Sequence, residues 1–243
     1  MQYESGVYWC RGRVAEVNQD AVVLQQVLTC RGRVLMAAVC DGMGGISFGE
    51  EVSGYVAEQL RDWFYRDLLH MIRRRKPFWV IRRSLDRLAF HMQRQMEKHA
   101  AREEISLGTT MTVLVLWERT YLIWHLGDSR AYRLRGGHIE QLTEDHVQGT
   151  EKLTKCLGSF GWFVPAHRMG SLRKGDGILL CTDGFRRRVS KEELCSVMSF
   201  DAACLWEPAG EERIGRRLKE IGGACMKRGE TDNLSAVYVR CVI

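Results

Sequence analysis

The sequence of 243 residues contains no apolar stretch that approaches the roughly 18 to 20 residues needed to span a bilayer. Its start, Met-Gln-Tyr-Glu, lacks a basic segment followed by an apolar one, so we predict no secretion signal. The sequence also shows no internal repeat, low-complexity tract or linker. These absences predict a single domain over residues 1–243 that is cytoplasmic and has no membrane partner.

The nine cysteines are scattered without a close-spaced pair, and their number is odd. Cys40, Cys181 and Cys241 lie within or beside strand-like apolar runs, where a reduced thiol packs as a small apolar residue. The cysteines therefore predict neither a disulfide framework nor a zinc site, and they favour a reducing compartment such as the cytosol.

The formal net charge is +6, and basic residues gather in two runs at residues 73–76 and 186–188. Nucleic-acid binding would require a recognisable module or aromatic residues interleaved in a basic face, and the sequence has neither. We interpret both runs as solvated surface and predict no nucleic-acid partner. Because the second run follows closely on Asp183, contact with phosphate or an acidic peptide stays open there as an alternative.

The chain is organised around Asp-Gly-Met-Gly-Gly at residues 41–45, directly after the apolar run of residues 34–40. That run has the length and composition of a buried strand, so we expect Asp41 where the strand leaves its sheet. The glycines allow a sharp turn that brings a carbonyl oxygen towards whatever the carboxylate holds. A carboxylate beside a carbonyl could begin a site for Mg²⁺ or Mn²⁺, although Asp-Gly is also a common turn dipeptide.

Helices are predicted where apolar residues recur at helical spacing, over residues 50–72, 78–103 and about 211–227. Glu50 and Glu51 fall in the first turn of the first of these helices, where negative charge suits the helix dipole. Ser190 and Glu193 form a capping-box pattern that predicts a fourth, short helix.

Strands are predicted from short apolar runs bounded by turn residues, within residues 6–40 and at 109–116, 120–126, 131–134, 138–142, 177–182 and 234–239. The first stretch is interrupted at residues 18–20 and again near a turn at 31–32. The strands between 109 and 142 are expected to form an antiparallel meander. Residues 143–167 are predicted to be loop, and we interpret residues 158–167 as a flap beside the site.

The same local setting recurs at four aspartates: Asp41, Asp128, Asp183 and Asp232 each lie next to an apolar strand run. Carboxylates at strand ends are costly to desolvate, and several that converge would raise one another's pKa unless a cation compensated them. Any one of these aspartates alone is most simply a turn residue. The shared pattern instead predicts a multi-metal carboxylate site between sheets, without Cys or His ligands.

Seven short motifs follow one another along the chain, and most of them include one of these aspartates. They are Asn-Gln-Asp at 18–20, Asp-Gly-Met-Gly-Gly at 41–45 with Gly-Glu at 49–50, Gly-Thr-Thr at 108–110, Gly-Asp-Ser-Arg-Ala-Tyr at 127–132, Leu-Thr-Glu-Asp-His at 142–146, Thr-Asp-Gly at 182–184 and Asp-Asn at 232–233. In this order they resemble the motif series of the metal-dependent protein phosphatases, the type 2C serine/threonine phosphatases, in their bacterial branch. Each motif is weakly specific, whereas the ordered set is highly specific.

The resemblance implies an α+β fold, a four-layer αββα sandwich of two antiparallel sheets flanked by helices. It also implies two Mn²⁺ or Mg²⁺ ions at one edge of the sheets. Asp41 would bridge both metals, and the Gly42 carbonyl would bind one of them. Asp183 and Asp232 would complete the other metal site.

Two further aspartates acquire roles from the same resemblance. Asp20 would act mainly through metal-bound water, and Asp128 would help to hold a third, looser metal. The implied reaction is attack on a phosphoserine or phosphothreonine monoester by a water shared between the metals. Such esters hydrolyse extremely slowly unaided, and two divalent ions about 3.5 to 4 Å apart can activate water and clamp the phosphoryl oxygens. The implied partners are phosphorylated proteins, including a cognate serine/threonine kinase or its targets, and we expect a monomer.

One position departs from the family pattern. An arginine that receives the substrate phosphate usually lies five residues before the aspartate of Asn-Gln-Asp, and here that residue is Ala15. Arg13 lies two residues earlier, which on a strand places it on the same face, about 6 to 7 Å away. We predict that Arg13 partly replaces the missing phosphate ligand, with a plain surface role as the alternative. Ala15 also leaves open a phosphopeptide-binding pseudophosphatase, whereas the intact aspartates favour an enzyme.

Overall fold

A computed structural model describes residues 2–43, 45–149, 152–158, 164–199 and 210–242. Its strands are β1 (Tyr3–Cys10), β2 (Asp20–Thr29), β3 (Gly32–Met43), β4 (Gly108–Thr109), β5 (Met111–Trp117), β6 (Thr120–Leu126), β7 (Arg130–Arg135), β8 (His138–Gln141), β9 (Val147–Gln148), β10 (Lys152–Leu153), β11 (Ala166–Ser171), β12 (Gly177–Cys181) and β13 (Leu234–Cys241). Its helices are α1 (Gly45–Trp63), α2 (Leu69–Arg73), α3 (Phe78–Glu103), α4 (Asp183–Arg186), α5 (Lys191–Met198) and α6 (Glu211–Lys227), with a π-helical segment, Phe64–Leu68, between α1 and α2.

The strands form two main antiparallel sheets. The first sheet has the order β11-β6-β5-β3-β2, and the second has the order β1-β13-β12-β7-β8. One apolar core lies between the first sheet and α1 to α3, a second lies between the sheets, and a third lies between the second sheet and α4 to α6. Three cores between four layers make the αββα sandwich that was predicted.

The period-2 alternation of β3 explains how one strand serves two cores. Its even-numbered residues pack against the helices, namely Val34, Met36, Ala38 and Cys40. Its odd-numbered residues pack between the sheets, namely Leu35, Ala37 and Val39. Because both faces of the sheet are covered, this strand is apolar from Val34 to Cys40, as the run of residues 34–40 predicted.

Several predicted elements are confirmed. The helices predicted over 78–103 and 211–227 match α3 and α6. At α5, the Ser190 hydroxyl accepts a hydrogen bond from the Glu193 N–H, and the Glu193 carboxylate accepts one from the Ser190 N–H. The basic run at residues 73–76 is exposed, as predicted. Among the described helices, none is both long and apolar enough to cross a bilayer.

Two strand predictions are wrong. Residues 11–19 form an irregular connection and not a strand, because β1 ends at Cys10 and the chain turns at Gly12, whose φ is 79°. The strands between 109 and 142 do not form one meander, because β5 and β6 belong to the first sheet and β7 and β8 to the second. The chain crosses between the sheets at Gly127, whose φ of 116° favours glycine.

Two smaller predictions also change, and a third is not tested. The first helix begins at Gly45, so Glu50 and Glu51 lie beyond its first turn. The predicted loop over 143–167 contains the short strands β9 and β10 and the start of β11, an edge strand of the first sheet. Half of the flap predicted over 158–167, namely residues 159–163, lies outside the described residues, so the flap stays a prediction.

Candidate active site at the edge of the two sheets

The first sheet contributes two carboxylates to the space between the sheets. Asp41 is two residues after Val39, so strand alternation directs its side chain towards the second sheet. Asp20 is the first residue of β2 and lies directly opposite Asp41 in the antiparallel register. Residues paired in this way project from the same face of a sheet. Asp20 and Asp41 therefore enter the same space.

The second sheet contributes three more carboxylates from neighbouring strand ends. Cys181, the last residue of β12, pairs with Ala236 of β13. Asp183 follows this pair and begins α4, while Asp232 precedes β13, so both lie at the same end of the sheet. Asp128 precedes β7, the neighbour of β12 on its other side. The structure thus gathers at one edge the five aspartates that the sequence predicted.

Two hydrogen bonds join the two sheets at this edge, and a third holds Asn233 to the connection that follows β1. The Thr182 hydroxyl donates to Asp20 Oδ2 at 3.0 Å, and both residues are buried. The Gln19 N–H donates to Asn233 Oδ1 at 2.8 Å, and Asn233 Nδ2 donates to the Arg11 carbonyl at 2.8 Å. The first two bonds hold the start of β2 against the segments that carry Asp183 and Asp232.

The backbone at Gly42 leaves no room for a side chain. A Cβ there would lie 2.0 Å from the Gly49 carbonyl oxygen and 2.7 Å from the Gln19 carbonyl oxygen. The Gly42 N–H donates to that Gln19 oxygen at 3.1 Å. On the other side, the Asp41 N–H donates to the Thr110 hydroxyl at 2.9 Å. Asp41 and the Gly42 carbonyl are therefore held on a closely packed backbone.

The carboxylates raise one another's pKa. Burial, with added repulsion from Asp232 and Asp183, raises the pKa of Asp20 to about 7. Burial and the neighbouring carboxylates raise the pKa of Asp41 well above its usual range. Burial and Asp183 raise the pKa of Asp128 to about 6, and they also raise the pKa of Asp232. Anions that repel one another in this way are stabilised by a cation.

Arg187 supplies one positive charge to this cluster. Its guanidinium contacts Asp183 Oδ2, and it lies 3.2 Å from Glu230 Oε1 and 3.5 Å from Asp232 Oδ2. Asp183 Oδ1 is buried and has no hydrogen-bond partner. Within the described ranges, no three His, Cys, Asp or Glu side chains converge closely enough to hold a metal ion as they stand. The described arrangement therefore pairs Asp183 and Asp232 with an arginine.

An ion-pair network supports the turn that carries Asp128. Arg130 donates to both carboxylate oxygens of Asp145 at 2.6 to 3.0 Å. Arg186 donates to the Asp128 carbonyl at 3.1 Å and to Asp145 at 3.3 Å. His146 Nδ1 accepts the backbone N–H just before Asp128 at 3.1 Å. Arg186 is thus bound within the protein, which argues against a contact with substrate.

Comparison with known proteins decides the family. A family model described as protein phosphatase 2C matches residues 12–221. The chain belongs to the protein phosphatase 2C family. A putative protein phosphatase 2C-type of Streptococcus pyogenes is 24% identical over 226 residues, which cover 85% of each protein. The serine/threonine protein phosphatase PstP of Mycobacterium tuberculosis is 27% identical over 254 residues, which cover 96% of this chain and 44% of PstP.

Solved structures show the protein phosphatase 2C fold over the same length. A serine/threonine phosphatase of Streptococcus agalactiae has a TM-score of 0.82 at 21% identity, covering 99% of this chain and 100% of its own. The catalytic domain of PstP, solved with two manganese ions, has a TM-score of 0.76 at 24% identity and covers 99% of both chains. These similarities confirm the predicted fold.

Arg13 does not lie on a strand beside Ala15, where strand alternation led us to expect it. It is exposed on the irregular connection of residues 11–19, so the argument from strand alternation relative to Ala15 is wrong. The connection nevertheless borders the site, because a Cβ on Gly12 would lie 2.4 Å from the Asp232 carbonyl oxygen. A role for Arg13 in binding phosphate stays a prediction.

Sequence reasoning missed Glu230 entirely. This glutamate is 2% exposed, and its Oε1 accepts the backbone N–H groups of Thr231 and Asp232 at 3.0 and 3.2 Å. It therefore shapes the loop that carries Asp232 and also anchors Arg187. A glutamate in a polar loop gives no sequence signal for burial, so only its position before Thr-Asp-Asn could have drawn attention to it.

Proposed function

We propose that this member of the protein phosphatase 2C family is a metal-dependent serine/threonine protein phosphatase that hydrolyses phosphoserine and phosphothreonine monoesters. The observation that carries the proposal is the convergence of five aspartates at one edge of the sandwich, where burial and mutual repulsion raise the pKa of four of them. The relative PstP is named a serine/threonine protein phosphatase, and the Streptococcus pyogenes relative a putative protein phosphatase 2C-type. Neither they nor the site geometry supports the pseudophosphatase alternative.

The residues fit a pair of hard divalent cations. The donor set consists of carboxylates and the Gly42 carbonyl, which are the oxygen ligands that Mg²⁺ and Mn²⁺ prefer. Asp183 Oδ1 is buried without a partner, as expected of an atom reserved for such a ligand. The relative PstP has been solved with two manganese ions. Two such ions would acidify a shared water and neutralise the phosphoryl oxygens.

We assign the ligand roles as follows. Asp41 would contact both ions, since its carboxylate interacts with carboxylates of both sheets, and the Gly42 carbonyl would contact one of them. Asp183 and Asp232 would hold the other ion. Asp20 would accept hydrogen bonds from water molecules bound to the metal ions.

Asp128 would help to hold a third, looser ion. Its carbonyl is fixed by Arg186, so its side chain is presented from a supported turn. Arg13, on the connection that borders Asp232, would contact the substrate phosphate, because a guanidinium matches phosphate oxygens bidentately. The substrates would be phosphorylated proteins, among them a cognate serine/threonine kinase or its targets, and the protein would act as a cytoplasmic monomer.

Hydrolysis of a phosphothreonine peptide tests the proposal. We expect Mn²⁺-dependent turnover that EDTA abolishes and that Asp41→Asn reduces by at least about 100-fold, because a central ligand should matter at least as much as its supporting residues do. Asp62→Asn is the matched control, since Asp62 lies on the helix surface and, among the residues that the structure describes, forms ion pairs with Arg61 and Arg66 alone. Turnover that survives both EDTA and Asp41→Asn would refute the metal mechanism. Mn²⁺ binding without turnover would favour the pseudophosphatase.

A further inference from the structure

Arg187 is placed among the site carboxylates by the local helix. It lies four residues after Asp183, so both project from the same side of α4, and the Arg187 N–H donates to the Asp183 carbonyl at 2.8 Å. The guanidinium contacts Asp183 Oδ2 and approaches Asp232 Oδ2 at 3.5 Å. The guanidinium also lies 3.2 Å from Glu230 Oε1. The arginine is stabilised by these three anions.

The next arginine offers an instructive contrast. Arg188 is similarly exposed, with 47% of its side chain accessible against 43% for Arg187. Its only described carboxylate contact is with Glu230, at 3.5 Å. Arg186 is turned away towards Asp145 and the Asp128 carbonyl. Of the three consecutive arginines, Arg187 therefore reaches the two aspartates that we assign to one metal ion.

We propose that Arg187 is an internal counter-ion that competes with the metal ion for Asp183 and Asp232. The inference rests on the proposed function, because it takes these two aspartates as metal ligands. A carboxylate oxygen in contact with a guanidinium cannot also bind Mg²⁺ or Mn²⁺ at about 2.1 Å without bringing two positive charges together. A metal ion could still bind the unpartnered Asp183 Oδ1, but only beside the guanidinium on Oδ2, so loading of this position favours release of Arg187 from Asp183 and Asp232.

The surroundings of Arg187 allow that movement. Its side chain is 43% exposed, so water can take up the released guanidinium. Glu230 is buried and fixed by two backbone N–H groups, so it can keep one contact with Arg187 after the aspartates are released. Arg187 therefore partly neutralises the carboxylates of the metal-free cluster. Because the metal ion must compete with this arginine, the cluster binds the metal ion less tightly than its carboxylates alone would.

Calorimetric titration of Mn²⁺ into metal-stripped protein tests the inference. Arg187→Gln keeps the length of the side chain and removes its charge, and we expect it to bind Mn²⁺ about three- to tenfold more tightly than wild type. This range corresponds to the loss of two partly exposed ion pairs. Arg187→Lys keeps the charge and should stay within about twofold of wild type. Arg188→Gln is the matched control for net charge and should also bind as wild type does.

The outcomes separate the inference from the proposed function. Equal or weaker Mn²⁺ affinity in Arg187→Gln would overturn the competition, as would an equal gain in Arg188→Gln, because the gain would then reflect net charge alone. Wild-type protein that binds no Mn²⁺ would overturn the metal centre itself and the inference with it. A gain confined to Arg187→Gln would establish Arg187 as the competing cation. Because the readout is affinity, it does not depend on turnover.

Discussion

Replacing Gly42 by alanine perturbs the backbone packing on which the site is built. The added Cβ would lie 2.0 Å from the Gly49 carbonyl oxygen, 2.6 Å from the Gly49 carbonyl carbon and 2.7 Å from the Gln19 carbonyl oxygen. All three are backbone atoms, so no side-chain rotation can relieve the contacts. Overpacking of a fixed interior typically costs about 1 to 3 kcal/mol and occasionally more. We expect Gly42→Ala to lower the free energy of unfolding by about 3 kcal/mol or more.

Gly54→Ala is the matched control for this prediction. Gly54 lies inside α1, and a Cβ there would meet nothing within 4 Å. Alanine is favoured over glycine in a helix by about 0.5 to 1 kcal/mol, so this variant should be slightly more stable than wild type. Urea unfolding of metal-stripped protein, followed by tryptophan fluorescence, measures both changes. Gly42→Ala within about 0.5 kcal/mol of wild type would refute the reasoning, since only a rearranged backbone could accept the methyl group.

Two further predictions concern the bonds between the sheets. Thr182→Val removes the hydroxyl that donates to Asp20 and accepts the Ser235 N–H, so urea unfolding should show a free energy of unfolding lower by about 2 to 4 kcal/mol. Thr182→Ser keeps the hydroxyl and should lower the free energy of unfolding by about 1 kcal/mol. Equal losses in the two variants would contradict the role of the hydroxyl. Because folding raises the pKa of Asp20 from 3.8 to about 7, its contribution to the stability of metal-free protein should fall as pH rises through that range. Asp20→Asn should remove this part of the pH dependence of thermal unfolding. A pH profile equal to that of wild type would show that Asp20 is not the titrating group.

Local sequence patterns predicted the parts of the fold that local physics decides. Helical periodicity over 78–103 predicted both ends of α3, which is bounded by Pro77 in an extended conformation and by Glu104 in a left-handed one. The apolar run of residues 34–40 predicted a strand buried on both faces, and Asp41 lies at its end as expected. Four of the site aspartates could be recognised because each borders an apolar strand run, which is itself a local feature, whereas Asp20 was assigned to the site through the resemblance.

The remaining features depend on contacts between distant parts of the chain. Residues 11–19 have strand-like composition, but Gly12 bends against the Asp232 carbonyl, more than 200 residues away. The crossing between sheets at Gly127 depends on its packing against Thr110, where a Cβ would lie 2.6 Å from the threonine Cβ. Three consecutive arginines look alike in sequence, and only the fold directs Arg187 to Asp183 and Asp232.

Anomalous scattering from crystals grown with Mn²⁺ tests the central claim, that this aspartate cluster is a metal centre, most directly. The account predicts two strong peaks that share the Asp41 carboxylate, one beside the Gly42 carbonyl and one beside Asp183 and Asp232. It also predicts that the Arg187 guanidinium no longer contacts those two aspartates. A map without peaks in the cluster would contradict the account.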